Sequence, residues 1–162
     1  MISAIVAVDN DWGIGYNGGL LESIPTDLAN FKSLTLGGTV VMGQNTWDSL
    51  PVRPLPGREN IVITYDTHPD AKAFFWSMED TLDFIKTHLN KHFWIIGGGS
   101  IYKQLLPICD RVYVTKIYKS HDNIDTYFPK LDDSEDWVKT PISEPQEYEG
   151  TLFQFWLYER TN

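Results

Sequence analysis

A chain of 162 residues, 42% hydrophobic and 14% aromatic, carries enough apolar material for one domain with a sizeable core and is no disordered segment. Its formal net charge of −9, with no basic run, argues against nucleic acid and anionic membrane as partners. The single Cys109 excludes an internal disulfide and a cysteine zinc site, and no apolar run is long enough to span a bilayer. With no basic stretch leading an apolar signal core, no export signal is read and a cytoplasmic protein is expected.

Ile2 to Val8 is an apolar run without helical period, as in a strand buried on both faces. Pro25 opens a helix that runs to about Leu36 and is closed by Gly37-Gly38. Thr39 to Met42 is a short β-branched strand, and Gln44 to Leu50 a short helix stopped by Pro51. Strands are expected at Ile61 to Thr64 and Ala73 to Trp76, then a helix over Met78 to Leu89. Phe93 to Ile96 reads as a strand, Ser100 to Leu106 as a helix ended before Pro107, and Arg111 to Tyr118 as a long strand. Trp137 to Val138 and Thr151 to Glu159 read as antiparallel strands joined by a polar loop. The order predicts an α/β fold: a central, mainly parallel mixed sheet with an antiparallel C-terminal edge, flanked by about four helices. No repeat or linker divides the chain, so residues 1–162 are expected to form a single domain.

Within the first helix, Ile24, Leu28, Phe31 and Leu34 make an apolar stripe, and Asp27 shares it. A carboxylate there needs a partner, or holds a raised pKa and handles protons. It would equally suit the positive end of the helix dipole. Gly97-Gly98-Gly99-Ser100 lies between a strand and a helix. Such glycines let backbone and ligand approach closely, and a helix start offers N–H groups to a phosphate. A tight turn explains the same run, which matches neither the dinucleotide fingerprint nor a P-loop. Gly43-Gln44-Asn45-Thr46 repeats the strand–glycine–helix logic, so two such junctions could serve two ends of one dinucleotide. Arg58 in a loop and Thr115 in a strand have plain readings as a solvated charge and as β-propensity. His68, His88, His92 and His121 show no ligand-like spacing, and no metal is expected.

Five blocks stand in a telling order. They are Ile2-Ser3-Ala4-Ile5-Val6-Ala7-Val8-Asp9, Ile24-Pro25-Thr26-Asp27-Leu28-Ala29-Asn30-Phe31-Lys32, Val40 to Ser49 with Arg53-Pro54-Leu55-Pro56-Gly57-Arg58, Ile95 to Tyr102, and Asp125-Thr126-Tyr127-Phe128-Pro129. Together with Gly13-Ile14-Gly15 they resemble the dihydrofolate reductase family over nearly the whole chain. The resemblance implies the fold of that family and an NADPH-dependent oxidoreductase. Hydride would pass to C6 of dihydrofolate and a proton to N5, giving tetrahydrofolate for one-carbon metabolism. Asp27 would be the catalytic acid, binding the pterin 2-amino and N3 groups, with Thr115 hydrogen-bonded to it. Arg58 would pair with the carboxylate of the glutamate tail. Ile5, Leu20, Leu28, Phe31, Leu50, Leu55 and Ile96 would enclose the pterin and benzoyl rings, with Leu20 and Ile96 also facing the cofactor.

For the cofactor, the resemblance places Ala7, Ile14 and Gly15 against the nicotinamide. It places Gly43, Gln44, Asn45, Thr46, Thr64 and Tyr65 on the adenosine side. Gly97, Gly98, Gly99 and Ser100 fall at the pyrophosphate, with a cis Gly–Gly bond; Ile101 also faces the cofactor, and Tyr102 lies near both ligands. The segment from Gly13 to Ser23 would close over the nicotinamide. A monomer is expected, and the family makes the site an antifolate target.

Four positions depart from the family pattern. Gln44 stands where Arg or Lys usually meets the 2′-phosphate, and Tyr65 where a serine is usual. A smaller NADPH preference is expected, unless another base such as Lys72 reaches the phosphate. Leu21-Glu22 replaces a usual Pro-Trp, and Glu22 could share the pocket with Asp27 or point to solvent. Two other readings remain: a different reductase on the same fold, such as that of riboflavin synthesis, and a non-catalytic nucleotide-binding module. Asp27-Leu28-Ala29-Asn30-Phe31 and Arg58 argue against the first, and a needless Asp27 against the second.

Overall fold

The computed structural model describes residues 1–65 and 72–161; His68 lies outside them. Along the chain come β1 (Ile2–Val8), β2 (Gly13–Gly15), α1 (Pro25–Thr35), β3 (Thr39–Gly43), α2 (Gln44–Ser49) and β4 (Glu59–Ile63). Then follow β5 (Phe74–Trp76), α3 (Met78–Thr87), β6 (Phe93–Gly97), α4 (Gly99–Leu105), β7 (Arg111–Ile117) and β8 (Thr126–Tyr127). The C-terminal part is β9 (Trp137–Pro141), β10 (Gln146–Tyr148) and β11 (Thr151–Arg160).

The sheet order is β10-β11-β7-β1-β6-β3-β4-β5, with β9 also pairing β11. Strands β7, β1, β6, β3, β4 and β5 run parallel, while β11 pairs antiparallel with β7, β9 and β10. Parallel strands covered on both faces need apolar side chains pointing both ways. β3 does this: Val40 and Met42 enter a cluster with Ile5, Trp47, Val62 and Trp94, while Val41 enters another with Ile61, Ile95 and Leu105. A third, smaller cluster joins Ile24 to Ile117, Phe153 and Phe155 under the start of α1.

Helix α1 starts at Pro25 after an extended Ile24 and ends in a turn at Gly37, whose φ of 83° suits glycine. Its stripe is only partly buried. Ile24 is buried and Phe31 and Leu34 pack at the edge of a cluster, but Leu28 is 50% exposed. Gly13–Gly15 is a short strand pairing β8 rather than only the start of a loop. Pro107 sits inside a 3-10 turn, Leu106–Ile108, that prolongs α4.

Candidate active site

The first turn of α1 brings Asp27 over the sheet next to β7. Thr115, itself buried, donates its hydroxyl to Asp27 Oδ1 at 2.6 Å. Burial pushes the half-buried carboxyl of Asp27 above its usual range, and the Thr115 bond holds it back in part. Ile5, Asn30, Tyr113 and Thr115 line one small cleft beside it. The carboxylate on the apolar stripe is therefore partnered by Thr115 and shifted by burial.

Of the expected ring-enclosing residues, Ile5, Phe31, Leu50, Leu55 and Ile96 meet in a single cluster. Leu20, at 71% exposure, and Leu28 stand outside it. Arg58 is not a free surface charge. Its Nη1 donates to Thr35 Oγ1 at 3.0 Å, its Nε to Pro56 O at 2.9 Å, and its guanidinium lies 5.8 Å from the Phe31 ring centre. Thr35 is itself fixed, donating to Phe31 O at 2.8 Å. Asp27 thus stands in the first turn of α1, and Arg58, from the loop before β4, is braced against the other end of that helix by Thr35 and Phe31.

Buried Asn60 shapes the loop that presents Arg58. Its Oδ1 accepts from Leu55 N at 2.9 Å, and its Nδ2 donates to Leu55 O at 3.1 Å and Arg58 O at 3.0 Å. Neither Asn60 nor Thr35 was expected from the sequence. The available signal was a single amide opening the apolar run Ile61-Val62-Ile63.

The two glycine junctions lie side by side because Met42 of β3 is in register with Gly97 of β6. Gly97 has φ 125° and joins Gly98 by a cis peptide bond. A Cβ on Gly97 would sit 3.4 Å from Thr46 Oγ1 and from the Tyr102 ring, and one on Gly98 3.6 Å from Thr46 Oγ1. Thr46, at the start of α2, thereby faces the backbone before α4. Tyr102 is buried and donates to Ile5 O at 2.6 Å, linking α4 to β1; desolvation raises its phenol further above its ordinary range. Glycines without side chains and helix starts leave room for an extended, negatively charged ligand across both junctions.

At the far end, Gln44 gives Nε2 to Asp48 Oδ1 at 3.0 Å, while its buried Oε1 has no partner. Arg53 Nη1 lies 3.6 Å from that same Asp48 oxygen, with its guanidinium above Trp47. Thr64 is buried and Tyr65 is 87% exposed. Ser100 is exposed, with its hydroxyl bonded to Gln104, Ile101 is buried, and Asn45 is exposed. Ala7 packs in the cluster under Ile24, and Ile14 leans on the large core.

Glu22 neither shares the pocket with Asp27 nor points to solvent. Its Oε1 accepts from Lys119 Nζ at 2.9 Å and contacts His121 Nε2 at 3.0 Å. Lys119, and then His121, hold its carboxyl below the usual range. The charges that perturb Asp27 do not include it.

Comparison with known proteins agrees with this geometry. The family profile described as dihydrofolate reductase matches residues 1–160. The dihydrofolate reductase of Mycobacterium leprae is 44% identical over 77% of each chain, and that of Bacillus subtilis is 36% identical over the whole of this chain and 96% of its own. A solved structure of dihydrofolate reductase from Enterococcus faecalis, complexed with NADP(H) and RAB-propyl, superposes with a TM-score of 0.84. It is 31% identical, covering 100% of this chain and 97% of that one. The ordered blocks, the sheet order that sets Asp27 against Thr115, and this match along the length place the chain in the dihydrofolate reductase family.

Proposed function

We propose that the chain is an NADPH-dependent dihydrofolate reductase, working as a single domain and a monomer in the cytoplasm. Bound NADPH supplies the hydride, passed from C4 of its nicotinamide to C6 of the substrate. The residues present fit the dinucleotide: the open backbone at Gly97 to Gly99, the facing Thr46, and the helix starts at Gln44 and Gly99 would hold its phosphates.

The protein aligns two rings and manages one proton. Asp27 binds the amino and N3 edge of the pterin and favours proton delivery to N5. Its raised pKa keeps a carboxyl poised nearer to working pH than an exposed acid would be. Thr115 fixes its orientation. Phe31, Leu50 and Leu55 enclose the rings that follow the pterin, and Arg58 takes the terminal carboxylate. Held by Thr35 and Pro56, that guanidinium loses little freedom on binding. The net charge of −9 leaves nucleic acid an unsuitable partner. Among the described residues no helix is long and apolar enough to cross a membrane.

The observation that carries this reading is the 2.6 Å hydrogen bond from buried Thr115 to half-buried Asp27. Purified protein is expected to oxidise NADPH only when dihydrofolate is present. Asp27→Asn keeps the shape, and neutral-pH turnover should fall by about 10²–10⁴, the range for a lost general acid or base. Activity should recover in part at low pH, where the substrate arrives protonated. Near-normal turnover of the variant at neutral pH would overturn the assignment.

A further inference from the structure

Asp9 and Glu22 flank the segment 10–21, and both reach the same imidazole. His121 Nδ1 lies 3.1 Å from Asp9 Oδ2, and Nε2 lies 3.0 Å from Glu22 Oε1. Lys119 Nζ donates to that same Glu22 oxygen at 2.9 Å. The Asp9 side chain is fully buried, and its Oδ1 is already taken by the N–H groups of Asp11 at 2.9 Å and Gly13 at 2.8 Å. An ionised carboxylate only accepts. The two ring nitrogens, one facing each acid, let this single side chain bridge Asp9 to Glu22.

The middle of the segment is tied elsewhere. Asn17 N donates to Asp125 Oδ2 at 2.8 Å, and Asp125 N donates to Gly15 O at 3.1 Å. Just past Glu22, Ile24 is buried among Ile117, Phe153 and Phe155. The chain from 22 to 24 is therefore gripped twice, immediately before the helix turn that carries Asp27. Asp125 holds the tip of the segment, and His121 joins its two ends.

We propose that Asp9, His121 and Glu22 form a latch that closes the base of the 10–21 segment and sets the start of α1, so that His121 and Glu22 are positioning residues for the reaction. The kinetic part of this inference rests on the function proposed above; the structural part does not. The latch needs a histidine able to span two carboxylates. Asparagine at 121 reaches at most one, while the backbone N–H of residue 121 keeps its 3.2 Å bond to Asp9.

Amide hydrogen exchange of the full chain tests it in the wild type, in His121→Asn, in Glu22→Gln and in the double variant. Exchange over residues 13–22 should quicken by about five- to ten-fold in each single variant, the effect of a partly exposed charge-assisted hydrogen bond. It should quicken no further in the double variant. Exchange in β1, β6 and β7 should stay as in the wild type. Limiting turnover should fall by roughly three- to ten-fold in each single variant, with the KM for dihydrofolate within about two-fold, because Asp27 and Arg58 still make their contacts. Unchanged exchange at 13–22, additive effects in the double variant, or faster exchange spread through the central strands would each overturn the latch. Altered exchange with unaltered turnover would remove the positioning role. None of these results touches the separate question of whether the wild type oxidises NADPH with dihydrofolate.

Discussion

Arg58 illustrates how a single residue changes meaning once its neighbours are known. Alone it is one more surface arginine, but Thr35, Pro56 and Phe31 fix its guanidinium in one orientation. Arg58→Ala should weaken folate binding by about 1.5–3 kcal/mol, as for loss of a hydrogen bond to a charged group. A pterin lacking the glutamate tail should bind equally well to both proteins; equal losses in calorimetric titrations of the two ligands would show damage to the fold instead. Gln44 is a second case. Its amide serves Asp48 and brings no charge to a cofactor phosphate. Gln44→Arg should raise the NADPH-to-NADH affinity ratio by roughly ten-fold, the low end for a charge-assisted contact, because Asp48 competes for the new guanidinium. The gain should fade with added salt, and an unchanged ratio would mean that the phosphate is held elsewhere. Glu22 was legible only as a departure. Its partners Lys119 and His121 are distant in sequence, so nothing local could foretell an ion pair.

The elements that form the site are short pieces whose ends matter more than their middles. α1 begins at Pro25 with Asp27 in its first turn and closes near Thr35, which braces Arg58. β3 and β6 end at glycines in register, and α2 and α4 start from there. The loop before β4 depends on Asn60 alone for three of its bonds. Asn60→Ala would strand the Leu55 N–H and two carbonyls. It should lower stability by about 1–3 kcal/mol in denaturant titrations and weaken binding of the glutamate tail more than that of the pterin. Equal stability of wild type and variant would mean that water replaces the amide. The element pattern itself was largely readable from periodicity and from Pro and Gly punctuation. β2, β8 and β10 escaped that reading because strands of two or three residues carry no period; pairing across the chain makes them.

For the molecule as a whole, burial makes the ionised form of Asp27 a cost to stability. Its folded pKa lies above its unfolded value, so the folded state binds the proton more tightly. Stability from this group falls as pH rises from the unfolded pKa, about 3.9, through the folded one, and the full penalty stands at neutral pH. Asp27→Asn should therefore raise the Tm at pH 7, and the difference should vanish below about pH 4, even as turnover collapses. A thermal melt series across pH checks the sign. Composition, periodicity and the ordered blocks determined much by themselves: an α/β sheet, the helix bearing Asp27, the two glycine junctions and the family. These features are local, since backbone propensity and apolar spacing act over a few residues. The tertiary structure decided the rest. It set Thr115 against Asp27, Thr35 and Phe31 around Arg58, Asn60 within its loop, and His121 between Asp9 and Glu22. Each of these joins groups whose closeness follows from strand order and register, and hydrogen bonds and ion pairs act only within a few ångströms, so no spacing along the chain announces them.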